Sequence, residues 1–234
     1  MTRRIGKLLR EAISALLDFF YPPLCLSCGR LLESGTEHVC PNCWSAIKLA
    51  SRELPLFLET RNKLMASGAI ADLVSLFVFE KEGPLQAIVH ALKYSGIQQV
   101  GTELGRRLGT LIQKEGIRAD LVIPVPLHKR KLRERGFNQS LLIARGISEV
   151  MGIPVRRALI RRTRWTQTQT ALSKEERQEN VKQAFTCGEA DLQGLCIIVV
   201  DDVITTGATI KAVAGAIQAS NPKTVIAASA AIAQ

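Results

Sequence analysis

The chain has no uninterrupted apolar run of about 18 residues, which excludes an ordinary transmembrane helix. It has no internal repeat beyond two short cysteine pairs and no low-complexity segment, which removes repeat architectures. The first residues are basic and then apolar, but Glu11 and Asp18 interrupt them and no small-residue cleavage site follows. That pattern does not read as a secretory leader, and a cytoplasmic location is the expectation. Acidic residues are scarce: 21 Asp and Glu stand against 31 Lys and Arg, a formal net charge of +10. Such an excess suits polyanionic partners, whether phosphorylated ligands, nucleic acid or an acidic membrane surface, although it also serves solubility alone. With 234 residues and 47% apolar composition, one large domain with a small appendage is expected.

Ile5, Leu8, Leu9, Ala12, Ile13, Leu16 and Leu17 recur at helical spacing, with Arg3, Arg4, Lys7 and Arg10 on the other side. This predicts a basic amphipathic helix ended by Pro22-Pro23, packing on its own protein or touching a membrane or partner. Cys25-Leu26-Ser27-Cys28 is then separated by eleven residues from Cys40-Pro41-Asn42-Cys43. Two such pairs make a tetrahedral four-cysteine zinc site, closed and therefore structural. Disulfides fit poorly with a chain lacking a secretion signal, and a redox pair lacks its enclosing βαβ pattern. Residues 51–70 show no clear period and read as a linker.

Beyond it, Leu73 to Glu80 reads as a strand, and Gly83-Pro84 opens a helix to about Leu92. A second helix spans about Val100 to Lys114, and Asp120 to Pro126 is a strand whose prolines suit an end or an edge. A helix follows from Gln139 to about Met151, and Val225 to Ala233 closes the chain as a strand.

The organising stretch is Cys196 to Thr209. Ile197-Ile198-Val199-Val200 is a short β-branched run, as in a buried strand of a parallel sheet. Asp201 and Asp202 stand at its end, Thr205-Thr206-Gly207-Ala208-Thr209 turns, and a helix runs on to Ser220. A polar turn at a helix N-terminus, with free N–H groups and hydroxyls, suits a phosphate. The paired carboxylates suit the hydroxyls of an attached sugar or a hard metal nearby. The run resembles the ribose-phosphate signature of the type I phosphoribosyltransferases. The resemblance implies that Asp201 and Asp202 hold the ribose of phosphoribosyl pyrophosphate (PRPP), and that Thr205, Thr206, Gly207, Ala208 and Thr209 hold its 5-phosphate.

Five basic residues fall within the seven positions from Lys129 to Arg135. If the preceding strand neighbours the Asp201–Asp202 strand, His128, Lys129, Arg130, Arg133 and Arg135 face the pyrophosphate of the same ligand and stabilise its leaving charge. A solvated basic loop is the plain alternative. Arg156, Arg157, Arg161, Arg162 and Arg164 lead to Trp165. Arg161, Arg162, Arg164 and Trp165 suit base stacking and phosphate tracking on a nucleic acid, or a mobile lid over PRPP.

Taken together, Tyr21-Pro22-Pro23 before the first cysteine pair, the second pair, Lys93-Tyr94-x-Gly96, Pro124 to Ser140, Gln167, Gln169, Arg177, Asn180 and Asp201–Thr209 are similar to the ComF family over nearly the whole chain. The resemblance implies an α/β fold: a type I phosphoribosyltransferase-like, mostly parallel sheet flanked by helices, with a small N-terminal four-cysteine zinc ribbon. The expected division is 1–50 for the amphipathic helix and ribbon, 51–70 for the linker and 71–234 for the phosphoribosyltransferase-like domain. It further implies magnesium bound with PRPP, an unknown acceptor, incoming single-stranded DNA in natural transformation, and a competence helicase-type ATPase as partner. A non-catalytic nucleic-acid adaptor on the same scaffold is the alternative.

Overall fold

A computed structural model of the chain describes residues 22–33, 35–162 and 184–234. Its centre is a four-stranded, all-parallel sheet of β1 (Asp72–Val78), β2 (Leu121–Pro124), β5 (Cys196–Ile204) and β6 (Thr224–Ile232), in the order β1-β6-β5-β2. Parallel strands covered on both faces need apolar side chains at every position. Ile197, Ile198, Val199 and Val200 are all fully buried, as that rule requires. Ile198 and Val200 join one core; Ile197 and Val199, pointing the other way, join a second. The proline-bearing β2 is an edge strand.

The first core is closed by α3 (Pro84–Tyr94), α4 (Gln98–Lys114) and α6 (Gln139–Met151). Helices α4 and α6 touch backbone to backbone. A Cβ on Gly105 would lie 2.1 Å from the Ile143 carbonyl oxygen, and one on Gly146 would lie 2.1 Å from that of Thr102. The second core is closed by α2 (Pro55–Met65), α7 (Ala208–Gln218) and the small antiparallel hairpin of β3 (Ile160–Arg162) and β4 (Phe185–Cys187).

Two segments differ from the sequence reading. Residues expected to lack regular structure between positions 51 and 70 contain α2, whose Phe57 and Leu64 are fully buried in the second core. Arg52 reinforces the attachment, donating to Asp72 at 3.1 Å and Glu115 at 2.6 Å, while Arg61 donates to Asp72 at 2.6 Å. The cationic loop after β2 folds into a short helix, α5 (Lys129–Arg135). His128 caps it through Nδ1, which accepts from the Arg130 N–H, and Arg130 pairs with Glu134 one turn on.

The cysteine-rich segment and α1 (Pro41–Ala46) pack against α3 and the edge of the first core. Cys25, Leu32, Val39, Cys43 and Ile47 are continuous with α3 residues Leu85 and Ile88 in that core. Trp44 stacks on Phe77 at 6.0 Å and carries the Arg107 guanidinium 4.0 Å above its ring.

Candidate functional site

The side chains of interest gather at the C-terminal ends of the strands, the usual ligand position in an open α/β sheet. Strand β2 pairs with β5 only as far as Pro124 and Val200. From Asp201 onward β5 keeps β6 on one side and has no β2 partner on the other. The carboxylates therefore stand beside the chain that leaves β2. That chain leads through α5 to the start of α6, where Asn138 caps the helix by accepting from the Ser140 N–H and anchors it by donating to the Val125 carbonyl. Ser140, thus positioned, donates from Oγ to Asp201 Oδ1 at 2.9 Å.

The two acids are held differently. Asp201 also accepts from the Asp202 N–H at 2.9 Å, and burial, then the charge on Asp202, pushes its carboxyl up to about 7. Ser140, the Asp202 N–H and Lys93 pull in the opposite direction. Asp202 accepts from Lys93 Nζ at 2.9 Å. Lys93 comes from the last turn of α3, so elements distant in sequence meet at this pair. The site combines two carboxylates able to accept from hydroxyls with the Lys93 ammonium on one and the Arg162 charge near the other.

The turn after β5 has Gly207 at φ 71, a left-handed conformation that glycine adopts without cost. A Cβ there would also fall 2.5 Å from Leu64 Cδ2, so the space beside Gly207 belongs to α2. Thr205 and Thr206 are exposed, Ala208 and Thr209 are half-buried, and Thr206 Oγ1 accepts weakly from the Ala208 N–H at 3.4 Å. No side chain caps α7 through Gly207, leaving a helix N-terminus that favours an anion.

Helix α5 lines the other side. Lys129, Arg130 and Arg133 are exposed, while Arg135 donates to Gln139 Oε1 at 3.1 Å and lies 5.4 Å from the Tyr94 ring centroid. Burial, then the charges on Arg162, Lys129, Arg130 and Arg133, hold the His128 imidazole below its ordinary value, consistent with Nδ1 acting as an acceptor. Arg162, on β3, is half-buried over Phe185 and close enough to feel Asp201; burial lowers its guanidinium and the carboxylate offsets this. Arg161 points to solvent from the same strand. Arg164 and Trp165 lie outside the described residues, as do the basic amphipathic stretch at 5–17, Gln167, Gln169, Arg177 and Asn180.

Sequence reasoning missed Lys93 and Ser140 as contacts of the acid pair. Lys93 lies in the Lys93-Tyr94-x-Gly96 stretch and Ser140 at the start of the helix expected from Gln139, and neither local pattern points to the acid pair.

At the other end of α3, the four sulfurs of Cys25, Cys28, Cys40 and Cys43 lie within 4.8 Å of one another, with Cys28 and Cys40 at 3.9 Å. Tetrahedral zinc with Zn–S bonds of about 2.3 Å needs sulfur separations of about 3.8 Å. Burial holds the Cys43 thiol up at about 12, whereas N–H donors, led by Cys40, bring Cys25 down to about 6 against the same effect. A dication lets all four ionise together. His38 is not part of this cluster.

Two family models match the chain. A double zinc ribbon domain model matches residues 16–54, and a phosphoribosyl transferase domain model matches residues 138–233. The DNA utilization protein YhgH of Salmonella typhimurium is 32% identical over 196 residues, covering 82% of this chain and 82% of that protein. The chain belongs to the ComF family. Competence protein F of Haemophilus influenzae is 27% identical over 196 residues, 80% of this chain and 75% of that protein. ComFC of Bacillus subtilis is 25% identical over 194 residues, 80% of this chain and 74% of that protein. Within this ComF chain the fold is that of a type I phosphoribosyltransferase, and the ribbon carries a structural zinc site. Among the described residues no helix is long and apolar enough to cross a membrane.

Proposed function

We propose that the chain binds PRPP with magnesium across the ends of β5 and β2 and acts on or with single-stranded DNA during natural transformation. The observation that carries this reading is the adjacency of the two strands. It puts the acid pair and the helix N-terminus that follow β5 next to the chain that leaves β2 for the cationic helix. A sugar with phosphate at one end and pyrophosphate at the other demands that combination. The names of the relatives, DNA utilization and competence proteins, support the biological setting and with it a cytoplasmic location.

In this scheme Asp201 and Asp202 accept from the ribose hydroxyls, and residues 205–209 donate to the 5-phosphate. His128, Lys129, Arg130, Arg133 and Arg135 face the pyrophosphate. Magnesium supplies charge neutralisation of phosphate oxygens, keeping waters and ligand atoms in its shell. In a transfer, the bond from the anomeric carbon to pyrophosphate breaks and pyrophosphate leaves with the electron pair. An acceptor lone pair forms the new bond to that carbon. Carboxylates beneath the ring stabilise the positive charge that builds on the sugar, and the cations stabilise the leaving group. The division into 1–50 for the amphipathic helix and zinc ribbon, 51–70 for the linker and 71–234 for the phosphoribosyltransferase-like domain belongs to the same proposal, as does a helicase-type ATPase partner.

Calorimetric titration of PRPP with magnesium tests the reading, comparing wild type with the Asp201→Asn/Asp202→Asn protein. Micromolar binding that disappears in the variant is expected. A folded, zinc-loaded wild type that gives no heat overturns it.

A second reading is an adaptor that binds nucleic acid without turnover. It is favoured by the exposed cations of α5 and by exposed Arg156, Arg157 and Arg161. Neutralising Arg161, Arg162 and Arg164 then abolishes DNA binding while PRPP binding persists, and wild-type DNA affinity falls steeply with salt.

A further inference from the structure

We infer that Tyr94 is a base-stacking platform for single-stranded nucleic acid, on a strip joining the zinc ribbon to the acid pair. This deepens the DNA reading above and rests on it. Lys93 and Tyr94 leave the last turn of α3 in different directions. Lys93 reaches Asp202 at 2.9 Å, and the Tyr94 ring has the ring of His90 4.9 Å away and the Arg135 guanidinium 5.4 Å away. Despite these neighbours Tyr94 stays 66% exposed, the most exposed of the large apolar or aromatic side chains among the described residues.

Two features bear on what covers it. First, His90 also lines a cleft of about 680 Å³ between the zinc knuckle, at Ser27 and Cys28, and α3, at Pro84, Gln86 and Ser95. Through His90 the tyrosine ring therefore stands beside a cleft that the ribbon lines. Second, the ring borders α5 at Arg135, a helix with five Lys and Arg residues and one Glu. An exposed aromatic that stands beside this cleft and beside a dense cationic helix suits a polyanion whose bases are free to stack. That is single-stranded nucleic acid; in a duplex the base faces are already occupied. A base on Tyr94 sits one residue from the lysine that holds Asp202. The strand then passes at the lip of the proposed PRPP site, and ribbon and sheet contribute to one surface.

Stacking on an aromatic side chain contributes about 1–3 kcal/mol per base, so its removal weakens binding roughly 5- to 150-fold. The test is fluorescence anisotropy of labelled oligo(dT) with full-length wild type, Tyr94→Ala and Tyr94→Phe, over a range of salt. The expected result is a loss of that size in Tyr94→Ala, recovery in Tyr94→Phe, and an unchanged salt slope because the ring contacts no phosphate. PRPP binding is expected to persist in both variants. Photo-crosslinking of wild type to 5-iodouracil-containing oligonucleotide should label the peptide that begins at Tyr94. If wild type binds oligo(dT) and Tyr94→Ala binds equally well, the platform is overturned and the DNA reading stands. If wild type does not bind oligo(dT), the DNA reading itself falls. Crosslinks confined to other peptides also overturn the platform.

Discussion

Lys93 Nζ and Asp202 Oδ2 are 2.9 Å apart, with side chains only 22% and 16% exposed, and they tie the end of α3 to the strand that carries the acid pair. A half-buried pair of this kind contributes little net stability, but breaking it leaves a carboxylate without its partner. Lys93→Met is therefore expected to destabilise the protein by about 1–3 kcal/mol at pH 8, a range set between exposed and fully buried pairs. Urea denaturation at that pH measures it. Replacing both partners, Lys93→Met with Asp202→Leu, should recover part of the loss. If the single variant unfolds like wild type, the pair does not carry this linkage.

The Asp201 carboxyl, pushed up to about 7 by its burial and by Asp202, sets a pH dependence with a definite sign. Its pKa in the folded chain lies above the ordinary value of 3.8, so the native state keeps a proton that the unfolded chain has released. This group's contribution to stability is thus full below about pH 4 and is lost as pH rises towards 7. Ligand binding runs the other way. Ribose hydroxyls donate to a carboxylate, so PRPP affinity should rise from pH 5.5 to 7.5 and level off above the pKa. Asp202, Lys93, Ser140 and Arg162 act on the same carboxyl, and the 5-phosphate itself titrates near pH 6. Calorimetry of wild type against Asp201→Asn isolates the group: the variant should bind more weakly and lose most of the slope. A slope that survives unchanged assigns the pH dependence to the phosphate.

Ser140 offers a milder change at the same carboxyl. Ser140→Ala removes the 2.9 Å donor to Asp201 without touching the Asn138 cap. A hydrogen bond to a charged group contributes about 1.5–3 kcal/mol. The Asp201 carboxyl of the variant should therefore keep its proton to higher pH, so that PRPP affinity reaches its plateau at higher pH than in wild type. The pH–affinity curve reads this directly, and coincident curves exclude a role for the hydroxyl in holding Asp201 ionised.

What was legible in the sequence is what local chemistry determines. Four β-branched residues in a row announce β5, Asn138 and Gly152 bracket α6, and the spacing of four cysteines announces the zinc site. Helix α2 was hidden because its buried face is Phe57, Thr60 and Leu64, with a polar residue in the stripe and apolar Leu56 and Leu58 beside it. Helix α5 was hidden because a charged run has no apolar stripe; a histidine cap and one Arg–Glu pair support it instead. The contacts of Lys93 and Ser140 depend on which strands are neighbours, a property of topology that no short window contains. Gly207 was read for the approach of a ligand, and its missing side chain turns out to make room for Leu64.

The glycines of the helical layers separate into tight and open positions. Gly105→Ala places a methyl against the Ile143 carbonyl and forces α4 from α6, whereas the Cβ of Gly215→Ala, on α7, meets nothing within 4 Å. Overpacking of the first kind costs about 1–3 kcal/mol or more. In an open helical position the same change is worth about 0.5–1 kcal/mol in the stabilising direction. Thermal melts of the two variants should move in opposite directions, Gly105→Ala down by several degrees and Gly215→Ala up by a degree or more. Equal shifts would contradict the backbone contact between the helices.

Zinc removal is expected to reach beyond the ribbon. Leu32, Val39 and Ile47 share the first core with α3, and Trp44 is clamped between Phe77 and Arg107. The bound metal holds four thiolates that otherwise repel one another in a partly buried cluster. A Trp165→Phe background leaves Trp44 as the sole tryptophan. Chelation in that background should release one zinc per chain, shift Trp44 emission to the red and lower the melting temperature of the whole protein. Cys43→Ser should reproduce all three changes without chelator. Because the ribbon buttresses α3, and α3 delivers Lys93 to Asp202, chelated protein is also expected to bind PRPP several-fold more weakly. Full PRPP affinity with the metal gone would confine zinc's role to the ribbon.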